Sequence, residues 1–128
     1  MTEELVTFET AKFLKEKGFD IACENVVRED KTRMNTLFRT NKNLPKTCYS
    51  LPTQAIAAKW LRERHEINVS VLRMTERYGG AVAKHNLLKY FYHIQIPNRP
   101  SIVDVGVYYF TYEEAFEAGI KKALSLIV

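Results

Sequence analysis

The chain has 128 residues, 46% of them hydrophobic and 12% aromatic, and a formal net charge of +4. That length holds one domain with a real core, and the composition excludes a disordered chain. No apolar run approaches the ~20 residues that span a bilayer, and the start Met1-Thr2-Glu3-Glu4 lacks the basic, then apolar, pattern of a secretory signal, so a cytoplasmic protein with no membrane partner is expected.

Thr7 is placed to cap a helix over residues 8–17, with Phe8, Ala11 and Leu14 on one face and Gly18 at its end. Over residues 21–50 the signals are weaker. Ile21 to Val27 and Met34 to Arg39 have strand character, and Asn41-Lys42-Asn43 with Pro45 marks a turn. Pro52 suits the first turn of a second helix, whose Ile56, Ala57, Trp60 and Leu61 form one apolar stripe, with Lys59, Arg62 and Glu63 pointing the other way. Ile67, Val69 and Val71 then alternate as a half-buried strand does.

Residues 75–89, containing Gly79-Gly80, read as a long loop or hairpin tip. Tyr90, Tyr92, Ile94 and Ile96 alternate with Phe91, His93 and Gln95; Pro97 and Pro100 bracket a turn. Val103, Val105, Val107 and Tyr109 alternate with Asp104, Gly106 and Tyr108. Three strands joined by turns imply an antiparallel meander. Thr111-Tyr112-Glu113-Glu114 is a capping box that opens a final helix. Tyr112, Ala115, Phe116, Gly119 and Ala123 line one side of it, widened by Ile120, Leu124 and Ile127, and the small residues spaced by four bring it close to a sheet.

The fold class expected is α+β, in a single domain over residues 1–128. Residues 1–50 supply an N-terminal helix and an irregular or short-strand segment. Residues 51–128 supply an α-β-β-β-α core, a three-stranded antiparallel sheet with helices packed on one face.

Two resemblances follow. The order α-β-β-β-α over 52–127, with Glu114-Ala115 and Lys121-Lys122-Ala123-Leu124 in the closing helix, resembles the double-stranded-RNA-binding domain over about three-fifths of the chain. In that family the last helix begins with lysines that grip phosphates; here Tyr112, Glu113 and Phe116 stand there, and an acidic residue repels the backbone. The resemblance therefore implies the fold without the usual function. At whole-chain level, Phe8-Glu9-Thr10-Ala11-Lys12, Lys17-Gly18-Phe19-Asp20, Pro52-Thr53-Gln54, Trp60-Leu61-Arg62-Glu63 and Thr111 to Ala115 look like a family of short uncharacterised proteins. These are encoded by bacteriophages and prophages, many in gut bacteria of the Bacteroidales type. That resemblance implies a small phage protein acting in a bacterial cytoplasm, on host machinery.

Catalytic and metal chemistry find no constellation. Cys23 and Cys48 lie in no CxxC or CxxH spacing, and in a reducing compartment they read as two buried or half-buried thiols. His65, His85 and His93 have no ligand spacing, and Gly79-Gly80 lacks the residues that make a phosphate-binding loop. No enzyme, cofactor or metal is expected. Phe91, Tyr108 and Tyr112 could stack bases, but the favoured reading packs them against residues 1–50.

Charge is unevenly spread. Residues 28–46 carry six basic side chains against two acidic, and residues 59–99 carry eight against three. Three functions remain. The leading one is a non-enzymatic binding protein that contacts a host or phage protein, with self-association as a variant. The second is a nucleic-acid binder using Lys59, Arg62, Arg77, Lys84, His85 and Lys89, because basic blocks release counterions from phosphate backbones. The third, a small-molecule or signalling-nucleotide sequestering protein that blunts host defence, rests on phage context and the basic loop.

Overall fold

The computed structural model of the chain describes residues 4–73, 89–103 and 107–127. The architecture is α+β: three helices and antiparallel sheets among the described residues. Helix α1 spans Phe8–Glu16 and is followed by strands β1 (Cys23–Arg28) and β2 (Arg33–Arg39), a short 3-10 turn at Asn41–Asn43, and strand β3 (Cys48–Ser50). Helix α2 spans Gln54–His65, strands β4 and β5 span Asn68–Arg73 and Tyr90–Gln95, and helix α3 spans Tyr112–Ser125.

Residues 21–50, expected to be irregular or to hold short strands at 21–27 and 34–39, do form strands there, β1 and β2, and with β3 make a sheet of their own in the order β2-β1-β3. Its ladder is antiparallel throughout, with Val26 opposite both Met34 and Ser50. Asn41 explains why a loop full of polar residues holds one shape. It is buried; its amide donates to the carbonyl of Phe19, and its oxygen accepts from the amide of Ser50. Satisfying both ends of a buried amide fixes the loop against the end of α1 and against β3.

In the second sheet β4 and β5 pair in continuous register from Asn68–Gln95 to Arg73–Tyr90. The segment expected as a third strand meets β5 at two bridges, Ile94–Ile102 and Tyr90–Tyr109. The proposed loop 75–89 falls almost wholly outside the described residues, and so do Arg77, Lys84 and His85.

Both α2 and α3 pack on the β4–β5 pair, and α1 packs on β3 and α3. Thr53, not Pro52, caps α2: its side chain accepts from the Ile56 amide, so Pro52 precedes the helix and is not in its first turn. Thr7 and Thr111 cap α1 and α3 as expected. A single buried cluster runs through both halves, from Val6, Leu14, Phe19 and Val27 to Leu61, Ile94, Ile120 and Leu124.

Polar ties reinforce it. Glu117 on α3 accepts from the Thr7 amide (3.0 Å) and hydroxyl (2.9 Å) and from the Gln54 amide group (3.1 Å). One carboxylate thus joins the N-terminus of α1, the start of α2 and the flank of α3. Trp60 joins the turn after α1, with its indole N–H on Asp20 (3.1 Å) and its ring edge-on to Phe19.

The aromatic reading needs a correction. Phe91 stands edge-on to Tyr108, and Tyr112 stands edge-on to Tyr90 and Phe116, so these rings pair within the C-terminal part. Edge-to-face pairs satisfy the ring quadrupoles without help from residues 1–50. The N-terminal helix finds its surface elsewhere, on β3 and the flank of α3.

Candidate functional site

Of the six residues proposed for nucleic acid, three are described. Lys59 and Arg62 are exposed on α2, three residues apart and so on one face. Lys59 pairs with Glu63 at 3.8 Å. Lys89 precedes β5, half-buried, at the end of the β4–β5 pair remote from the α2–β4 turn. Its amide bonds to the Tyr109 carbonyl. The structure therefore does not bring Lys89 beside Lys59 and Arg62. The start of α3 is acidic and solvent-facing: Glu113 and Glu114 are exposed and, with Glu4 and Glu117, line a shallow cleft.

The basic block of residues 28–46 lies elsewhere. Arg28, Lys31, Arg33, Arg39, Lys42 and Lys46 are all exposed on and around the β1–β2 hairpin. The two acidic residues of the block are already engaged. Glu29 accepts from the Tyr49 hydroxyl and from Lys12, which together hold its carboxyl below the usual range. Asp30 accepts from Thr32, with the same direction of shift.

The most unusual surface feature is apolar. Leu37 is 93% exposed and Phe38 66% exposed, both on β2. Their placement has a backbone cause. Cys23 is the partner of Arg39 and Asn25 the partner of Asn35, so the three residues Thr36, Leu37 and Phe38 stand opposite the single Glu24. Such a bulge breaks the inside–outside alternation. Phe38 also has φ of +48°, a left-handed conformation that costs a bulky residue about 1–2 kcal/mol.

Phe38 lines a groove of about 230 Å³ together with Cys23, Leu51, Pro52, Ile21 and Ile56. The last two also line a neighbouring groove of about 370 Å³ with Trp60, Asp20, Lys59, Glu63 and Arg64. Ile56 corrects the expected stripe on α2. It is 38% exposed and faces these grooves, while Ala57, Ala58, Trp60 and Leu61 form the buried side. Ile21, expected inside a strand, is 41% exposed beside it. The sequence reading missed Leu37, Phe38 and Ile21. The signal available was two adjacent large apolar residues within a basic, polar stretch, which an alternating strand cannot bury together.

No group of His, Cys, Asp and Glu suited to a metal ion occurs among the described residues. Cys23 and Cys48 are free and buried, and burial pushes the Cys23 thiol up to about 11. Cys48 lies opposite Arg28, five positions along β1 from Cys23, which at ~3.3 Å per residue puts the two thiols at opposite ends of the sheet. No helix among the described residues is long and apolar enough to cross a membrane. Compared with protein-family models, with curated proteins and with solved structures, the chain matches nothing.

Proposed function

We propose that this chain is a non-enzymatic binding protein, of phage origin and acting in a bacterial cytoplasm, that docks on a protein partner through β2 and the adjoining grooves. The observation that carries the reading is the exposure of Leu37 and Phe38. An isolated exposed leucine means little, but a strained phenylalanine in the wall of a largely apolar groove keeps a hydrophobic surface in water at a cost to stability. Partner association would recover that cost by burying the surface.

The test compares capture from a bacterial lysate by the wild-type chain and by a Leu37→Asp/Phe38→Asp variant of equal thermal stability. A protein retained by the first and lost from the second supports the reading. Equal capture by both removes it.

Nucleic-acid binding is the second reading, favoured by the exposed Lys59 and Arg62 and by the basic hairpin. The acidic start of α3 and the Lys59–Glu63 pair weigh against it. Polarisation binding to duplex RNA, duplex DNA and single strands across a salt series decides: a steep fall with salt supports it, and no binding at low salt ends it.

A further inference from the structure

The sheet β2-β1-β3 has two edges, and they are treated differently. On the β3 side all three residues are buried, α1 packs against them, and the Lys15 ammonium donates to the carbonyls of Cys48 and Pro45. On the β2 side Arg33, Asn35, Leu37, Phe38 and Arg39 are exposed, with Met34 and Thr36 only half-buried. An unpaired edge is a template for another strand.

The backbone pattern says which groups of β2 face outward. The Glu29 amide bonds to Thr47 and the Leu51 amide to Asn25, so the odd-numbered residues of β1 serve β3. The Arg28 amide bonds to the Thr32 carbonyl, so the even-numbered residues serve β2. Because an antiparallel ladder alternates, the N–H and C=O groups of Arg33 and Asn35 point away from the sheet.

Charge selects the occupant. A second copy pairing antiparallel about Thr36 would set Arg33 opposite Arg39 twice, and like charges directly opposed are unfavourable. Two arginines up to about 20 Å apart instead suit a segment with acidic residues at its ends and apolar ones between. The bulge and the arginines disfavour pairing of this edge with a second copy in that register. They do not explain why Leu37 and Phe38 are left in water.

We infer that β2 captures an extended, apolar segment with acidic flanks from a partner protein, adding it as a fourth strand beside Arg33 and Asn35, with its apolar side chains on Leu37 and Phe38. This rests on the docking reading above and names its partner class. Backbone bonds would supply affinity and the flanking charges orientation.

The test uses the full chain and short synthetic peptides with alternating valine and threonine in the centre and glutamates at both ends. Binding is followed by fluorescence polarisation. The acid-flanked peptide should bind about tenfold or more tightly than the same core flanked by lysines. A strand bonds one neighbour through alternate residues, so N-methylating one alternate set of peptide amides should abolish binding while the other set leaves it intact. Asn35→Pro should also abolish it, and proline on an edge strand with its N–H outward is tolerated by the fold.

No binding, equal binding of the lysine-flanked peptide, or indifference to both methylation patterns overturns the inference. Peptide binding that ignores methylation yet disappears with Phe38→Asp overturns strand addition alone and leaves the docking reading standing.

Discussion

Gly119 gives the sharpest test of how the fold is held. It lies on α3 where the helix crosses the β4–β5 pair, and a Cβ there would stand 2.7 Å from Cγ1 of Val69 and 2.9 Å from Cβ of Tyr92. In an unconstrained helix interior, Gly→Ala gains about 1 kcal/mol from propensity. Here the sign reverses. The Tyr92 atom is bonded directly to the backbone, and the β-branched Val69 has little rotameric freedom, so the helix or strand itself must shift. Overpacking of this kind costs about 1–3 kcal/mol, and two contacts below 3.0 Å put it in the upper half of that range. The net expectation for Gly119→Ala is a loss of about 1–2 kcal/mol, or roughly 3–8 °C in Tm for a chain of this size.

Urea unfolding followed by circular dichroism measures this. In a Val69→Ala background one of the two close contacts is gone, so the Gly119→Ala penalty should shrink by about 0.5 kcal/mol or more. A stabilising Gly119→Ala would refute the close approach of α3 to the sheet. So would a penalty that Val69→Ala leaves unchanged.

Other expectations can be checked with the same purified protein. Phe38→Asn should leave stability within about 1 kcal/mol of wild type, because relief of the left-handed strain offsets the modest burial lost at a residue 66% exposed. A larger destabilisation on urea unfolding would make Phe38 a core residue and not a docking one. Glu29 has a lowered folded-state pKa through its bonds from Tyr49 and Lys12, so its contribution is present above the ordinary value of 4.5 and lost as pH falls through the folded value. The stability gap between wild type and Glu29→Gln should accordingly narrow as the pH falls below the ordinary value of 4.5. A gap that widens on acidification would contradict the arrangement. Both cysteines should resist Ellman's reagent at about pH 8 until the chain unfolds, since both are buried and the Cys23 thiol is pushed up to about 11. Rapid native labelling would show that one of them is open to solvent.

What the sequence made legible was whatever local chemistry decides. Thr7 and Thr111 cap their helices by accepting from the residue three positions on, and such a bond needs no tertiary partner. The alternation of Tyr92 and Ile94 survives because β5 has α3 against one face. The small residues Ala115, Gly119 and Ala123 announced a close crossing, and all three are buried. The N-terminal sheet was less legible because its determinants are distant. Asn41 looks like a loop residue until its two bonds to Phe19 and Ser50 are seen, and β3 is only three residues long.

The candidate site failed to show itself for a related reason. Sequence patterns assign large apolar residues to a core; for Ile56 that assignment is a default with no physical content of its own, and Leu37 drew no reading beyond the strand it sits in. Whether Ile56 is covered depends on what lies across the two grooves it shares with Ile21. Whether Leu37 is covered depends on the three-against-one bulge opposite Glu24. Both are tertiary outcomes. The basic residues misled in the opposite direction, since side-chain type revealed Lys59 and Arg62 but not the Glu63 pairing or the separation from Lys89. Surface function is a matter of which groups are left unpaired once the fold is made. Among the described residues the outer edge of β2, with the two hydrophobic side chains its bulge turns out into water, is such a place.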